Sequence, residues 1–290
     1  MKTAMVWQLR MWKEGDPIAQ LAHCKELGLD SINIKIVDGR WKEWGGSPTN
    51  FDLMTEFLNV FHSAGFPIEG WGWTYGGRNI GGVFFKSESI AREEGQLAAD
   101  LCLQYGIKKF HIDAEHHYNR KGMEGVTEAY MLGLQSIAPD VDHYLCSYRF
   151  PLTHQPAFPV EAFEPYIEGW SPQVYFLGDN RVDGGARQLV TSSAQYDRVG
   201  KHPYIGVAPT YPWKDWRASY VQLIAFFEKA KELGHEGVSI WDLPQATSQQ
   251  LRALKDFNWI PTIPPPPPPA EKAVVEVKVT KGEADIKVIE

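Results

Sequence analysis

Three cysteines in 290 residues, Cys24, Cys102 and Cys146, are too few and too scattered to build a disulfide framework or a zinc site. They read as reduced thiols. Basic residues are outnumbered, 29 Lys and Arg against 36 Asp and Glu, which gives a net charge of −7 and a pI near 5.7. That balance argues against a nucleic-acid or anionic-membrane binder, since both reward a basic face. No apolar run approaches the ~18 residues that span a bilayer. The stretch Met1–Trp12 opens like a secretory leader, but Gln8 and Arg10 interrupt its apolar part and no small-residue cleavage site follows. The expectation is therefore a chain without a signal peptide, cytoplasmic as synthesised. No glycine-rich phosphate loop follows the first strand-like run, which disfavours a nucleotide-binding open sheet. What is plentiful is aromatic: 11 Trp, 12 Tyr and 14 Phe make up 13% of the chain.

Two periodicities alternate up to about residue 260. Strand-like runs fall at 3–10, 31–38, 68–75, 109–116, 143–150, 170–177, 203–211 and 237–243. Helical patterns lie between them, several ending one residue before a glycine (Gly28, Gly106, Gly234), the expected C-terminal stop. Eight strand-then-helix units predict a (β/α)8 TIM barrel over 1–260. Pro264 through Pro269 follow without interruption and define a polyproline linker at 261–269. Residues 270–290 alternate around Lys281-Gly282 as a short β-hairpin. About twenty residues cannot hold a core alone, so this element is either a frayed tail or docks onto a protein partner.

A barrel places its chemistry at the C-terminal ends of its strands. On the fourth strand Phe110, Ile112 and Ala114 share one face, and His111, Asp113 and Glu115 the other. The apolar face belongs against the helices, so the two carboxylates point into the barrel. Two acids about 6.6 Å apart along a strand, at ~3.3 Å rise per residue, cannot both ionise freely in a partly buried site. One pKa should rise, and a proton-holding acid beside an ionised one is what glycosidic cleavage needs. The bland reading is an ion network in which Lys35 and Arg149 neutralise the pair. Trp71 and Trp73 share a face of the third strand, Gln173 and Tyr175 of the sixth, and Ser239 and Trp241 of the eighth. Indole faces stack on sugar rings, while amide and phenol groups bind their hydroxyls. Trp41, Trp44, Trp213 and Trp216 could extend such a cleft. Gly76-Gly77 and Gly81-Gly82 around Arg78-Asn79 read as a mobile loop over the opening. His111, His116 and His117 lie near the acids, but adjacent strand residues face opposite ways and make no natural chelate, so no metal is expected.

Ile112-Asp113-Ala114-Glu115 resembles the Asp-x-Glu signature of barrel glycosidases acting on N-acetylated sugars, the family 18 chitinases and the family 25 lysozymes. Gln173-Val174-Tyr175 and Gly237–Asp242 are similar to the sixth- and eighth-strand segments of family 18. Lys108 and His111 stand where that family carries two further acids, and Gln8 and Arg10 where family 25 has a first-strand Asp, so the resemblance is to a divergent relative. It implies a retaining, substrate-assisted glycosidase cutting an N-acetylhexosamine polymer, peptidoglycan or chitin-like, without a cofactor. Glu115 would be the acid, Asp113 would orient the acetamido group and Tyr175 would donate to it. Trp71, Trp73, Gln173, Trp241, Asp242, Lys35 and Arg149 would bind substrate. The rival is a non-catalytic carbohydrate-binding or structural barrel within a larger assembly such as a phage particle. A phage lytic enzyme would also account for a wall-directed protein lacking a leader.

Overall fold

The computed structural model describes residues 1–42, 50–259, 274–280 and 283–289. The expected linker and Trp44 lie outside the described residues. In chain order the elements are β1 (Met5–Val6), α1 (Pro17–Leu27), β2 (Ile32–Asp38), α2 (Asn50–Ser63), β3 (Ile68–Thr74), β4 (Gly77–Ile80), β5 (Val83–Lys86) and α3 (Glu88–Tyr105). There follow β6 (Lys109–Ala114), α4 (Glu124–Ile137), β7 (Asp142–Cys146), α5 (Val160–Phe163), β8 (Gly169–Trp170) and α6 (Gly184–Tyr196). The last are β9 (Ile205–Pro209), α7 (Tyr220–Glu232), β10 (Gly237–Trp241), α8 (Ser248–Asp256), β11 (Val274–Thr280) and β12 (Glu283–Ile289).

Local chemistry explains many of these boundaries. Asp16 caps α1 by accepting from the Ile18 and Ala19 amides, Pro17 opens the helix, and Gly28 closes it at φ 63°. Ser219 and Thr247 form capping boxes with Gln222 and Gln250 at the starts of α7 and α8. Apolar strand residues facing outward, including Ile34, Phe110, Ile112 and Ile240, are fully buried beneath the helices.

Six strands pair in parallel in the order β1-β2-β3-β6-β7-β8, and β9 pairs with β10. Bridges from Trp170 to Tyr204 and from Gln173 to Val207 join β8 to β9, and Lys2 to Val238 joins β10 to β1. The ring is thereby closed: an eight-stranded parallel barrel with helices outside. Its lower rim is tied by the amino terminus. The Met1 ammonium donates to Glu236 O at 2.6 Å. The buried Lys2 ammonium donates to Leu27 O, Leu254 O and Phe257 O at 3.2, 3.0 and 2.9 Å, satisfying carbonyls at the ends of both α1 and α8.

Three expectations change. The first strand is only two residues long, because Gln20 Nε2 donates to Leu9 O and Trp12 O and draws that stretch into a 3-10 turn. The sixth shrinks to Gly169–Trp170, since Pro172 has no N–H for the ladder and only isolated bridges continue it. The glycine-framed loop is a β-hairpin, β4 against β5, with Ile80 opposite Val83 and Gly81 and Gly82 at φ 59° and 83°, the left-handed pair that such a two-residue turn demands. At the C-terminal end β11 and β12 pair antiparallel, Thr280 opposite Glu283.

Candidate active site

The C-terminal ends of β2, β3, β6, β7 and β10, with Trp7 after β1 and the segment after β8, surround a cavity of about 270 Å³. That is just below the ~300–1,000 Å³ of typical small-molecule sites and suits a single sugar ring. Met5, Trp71, Cys146 and Val207 form its apolar floor, with Trp7, Tyr175 and Trp241 packed against them.

Asp113 and Glu115 both line this cavity, as the alternation along β6 requires. The Gln173 amide reaches across from the sixth strand position and donates to Asp113 Oδ1 and to Glu115 Oε1, each at 2.9 Å. Two oxygens sharing one donor so closely lie nearer than the roughly 6.5–9.5 Å that an inverting carboxylate pair needs. Burial, then the charge and hydrogen bond of neighbouring Glu115, push the Asp113 pKa well up, while Lys35 and Gln173 pull it back. Burial and the neighbouring carboxylate both favour the protonated form of Asp113, the deeper of the two carboxyls. Glu115 is half-buried and borders a second cavity as well.

Lys35 lines the cavity, forms a 2.5 Å ion pair with Asp38 and acts on Asp113 through its charge. Tyr75 donates its hydroxyl to the other Asp38 oxygen at 2.6 Å. Gly39 makes that approach possible: at φ 57°, a Cβ there would lie 2.5 Å from the Tyr75 ring. Arg149 Nη1 donates to Tyr175 O and to Gln188 Oε1, at 2.6 Å in the latter case.

The aromatic residues divide into floor and platform. Trp71 is 2% exposed, its indole N–H donates to Val6 O at 3.1 Å, and it meets Trp241 edge to face at 4.9 Å. The half-buried Trp241 is thus more open to a ligand than Trp71, and the half-buried Trp7 and Trp73 also line the cavity. Burial raises the Tyr175 pKa well above that of an ordinary phenol, so its hydroxyl stays protonated, and it has no hydrogen-bond partner among the described residues. Asp242 is absent from the lining of this cavity. Its carboxylate accepts from the Trp7 amide at 3.1 Å and from Gln245 Nε2 at 3.0 Å, and the Trp241–Asp242 peptide is cis. Trp216 packs against Phe176 in the core, and Trp213 lies under Lys214 away from the cavity.

His111 sits one layer below the acids, its nitrogens engaged by Ser171 Oγ at 2.9 Å and Glu69 Oε2 at 2.8 Å. Burial opposes the Glu69 charge, yet that histidine holds its pKa below the ordinary value. The His116 and His117 rings lie 3.8 Å apart, tilted by 40°, outside the strand. Among the described residues no three His, Cys, Asp or Glu side chains are grouped to hold a metal.

Two wider openings flank the central cavity. One, about 500 Å³, is lined by Arg40, Trp41, Tyr75, the β4–β5 hairpin, Phe84, Glu94 and His117. The other, about 570 Å³, shares Glu115, Gln173, Tyr175 and Trp241 with the centre and adds Tyr148, Arg149, Phe150, His154, Gln155 and Tyr211. Asp38, Tyr75, Tyr148 and Tyr211 carried no sequence signal beyond standing at or just past strand ends.

No family model matches the chain, and no curated protein matches it. Solved structures do. The spore cortex-lytic enzyme SleL of Bacillus cereus superposes with a TM-score of 0.62 at 10% identity, covering 90% of this chain and 75% of that one. A chitinase of Rhizomucor miehei gives 0.61 at 13%, covering 89% and 99%. The endoglucanase Cel5A of Pseudomonas stutzeri gives 0.58 at 11%, covering 90% and 96%. At such identities the likeness establishes the fold: a TIM barrel shared with glycoside hydrolases of several substrate classes.

Proposed function

We propose that this barrel is a retaining glycosidase cutting an N-acetylhexosamine polymer, peptidoglycan or chitin-like, with Glu115 as the acid. The observation that carries the reading is the Asp113–Gln173–Glu115 constellation, facing a cavity walled by Trp241 and Tyr175. A sugar ring stacks on Trp241. Glu115, sharing the proton that burial keeps on Asp113, donates it to the glycosidic oxygen. The acetamido oxygen of the same sugar attacks the anomeric carbon from the opposite face as the bond to the leaving sugar breaks. Asp113 accepts the acetamido N–H and balances the positive charge of the cyclic intermediate. The Tyr175 hydroxyl donates to the acetamido oxygen and holds it in line. Water then attacks the anomeric carbon, gives its proton to the Glu115 carboxylate and restores the acetamido group. Two displacements return the original anomeric configuration. Positioned proton transfer of this kind contributes ~10²–10⁴-fold.

Two fold neighbours named for chitin or spore cortex support the choice of N-acetylated polymer. The β11–β12 hairpin is, on this reading, a docking element for a protein partner beyond the barrel unit. Proton NMR of chitin oligomers or peptidoglycan strands during hydrolysis tests the mechanism. Fresh products should carry the configuration of the substrate bond. Inverted products would overturn the substrate-assisted route, and no products at all would leave the barrel a binding module.

A further inference from the structure

Three guanidinium groups of this protein sit opposite acids, Arg181 at 2.6 Å from Asp179, Arg252 at 3.1 Å from Asp256 and Arg40 at 3.4 Å from Glu93, and the exposed Arg217 is held by the Thr210 and Gln245 carbonyls. Arg149 is half-buried, yet among the described residues no carboxylate lies within ion-pair distance of it. Its Nη1 is fixed by two neutral acceptors, Tyr175 O and Gln188 Oε1, and its plane lies over the Phe150 ring at 5.1 Å. Nε and Nη2 make no hydrogen bond among the described residues. Asp179, whose charge acts on Arg149 against the effect of burial, is already held by Arg181. A guanidinium taken partly out of water, braced on one nitrogen and left with open donors, is a preorganised receptor for a planar anion.

Its location assigns that anion a place. Glu115 stands on the boundary between the central cavity and the 570 Å³ opening that Arg149 lines. If Glu115 protonates the glycosidic oxygen, the ring held by Trp241 and Asp113 lies on the central side and the departing sugar lies beside Arg149. We propose that Arg149 reads a carboxylate borne by the leaving-side sugar, so that the strand this barrel cuts is an anionic one. The inference rests on the glycosidase reading above and adds to it a substrate class and a side. In a peptidoglycan strand two groups offer that chemistry, the lactyl carboxylate of a peptide-free muramic residue and the carboxylates of an attached stem peptide. A chitin strand offers neither.

The test uses the full chain and five substrates: peptide-free glycan strands, peptide-bearing strands, each of these two with carboxylates converted to amides, and N-acetylglucosamine oligomers. Charge-assisted hydrogen bonds of this type correspond to about tenfold to a hundredfold in affinity. Wild-type protein should prefer the carboxylate form over the amide form by about tenfold or more in kcat/KM, mainly through KM. Arg149→Gln and Arg149→Lys should bring that ratio towards one, Gln more completely. Preference on peptide-free strands identifies the lactyl group as the anion, and preference confined to peptide-bearing strands identifies the peptide. A ratio near one in wild type, or variants that lose activity equally on both forms, overturns the inference while leaving the glycosidase reading in place. Should wild type cut none of these strands, the glycosidase reading falls, and calorimetric binding of the same pairs still decides on Arg149: a carboxylate preference lost in Arg149→Gln sustains its role as an anion receptor, and equal binding refutes it.

Discussion

Asp242 offers the sharpest quantitative test of how the barrel's upper end is held. It is 3% exposed, and burial lifts its pKa from 3.8 to about 6, against the opposing effect of hydrogen bonds from Gln245 and the Trp7 amide. A carboxyl with a folded pKa above its unfolded one binds its proton more tightly when folded. Its ionisation therefore destabilises the fold: the effect is absent below about pH 4, grows between the two pKa values and is complete above about pH 6. At about 1.4 kcal/mol per unit, a shift of roughly two units amounts to ~3 kcal/mol. Asp242→Asn removes the charge while keeping an acceptor for the Trp7 amide, and Gln245 can turn its carbonyl toward the new amide. Urea unfolding of both proteins at about pH 4 and about pH 8, at constant ionic strength, isolates the difference from every other titrating group. The variant's stability relative to wild type should rise by up to ~3 kcal/mol from the acidic to the basic condition. A difference that is flat with pH, or that falls, would refute the buried-carboxyl argument.

Lys2→Met should cost about 3 kcal/mol in urea unfolding, since three carbonyls at the ends of α1 and α8 lose a charged donor. A loss under ~1 kcal/mol would mean the ammonium is not the clasp it appears in the hydrogen-bond pattern. Gln173→Leu removes the donor that lowers the Asp113 pKa, so the alkaline limb of the kcat/KM profile should move to higher pH as kcat falls. A limb that stays put would separate the Asp113–Glu115 pair from the rate-determining proton.

The barrel was legible because its apolar runs of strand length alternate with helical spacing, and several of the helices are closed by glycine or opened by a cap. The inward direction of Asp113 and Glu115 followed from simple alternation against Phe110, Ile112 and Ala114, whose burial is complete. What alternation cannot say is how far a side chain reaches. Trp71 and Trp73 share a strand face, yet Trp71 is sunk against the Val6 carbonyl and Trp73 stays partly open. Asp242 follows a cavity-lining tryptophan but turns to the Trp7 backbone, a contact between residues 235 apart in sequence. The Lys35–Asp38–Tyr75 chain was hidden for the same reason, being assembled from two strand ends and licensed by Gly39. The β4–β5 hairpin did have a signal. Gly81-Gly82 between Ile80 and Val83 fits a two-residue turn, and reading the glycines as looseness concealed it.

The central claim is that Glu115 delivers the proton to the bond being cut, and one comparison addresses it directly. Glu115→Gln preserves shape and hydrogen bonding to Gln173 but holds no transferable proton. Turnover of an N-acetylated glycan by the variant should drop by at least ~10²-fold, while calorimetry shows the oligomer bound as tightly as by wild type. Turnover within a few-fold of wild type, with the variant intact and folded, would contradict the account.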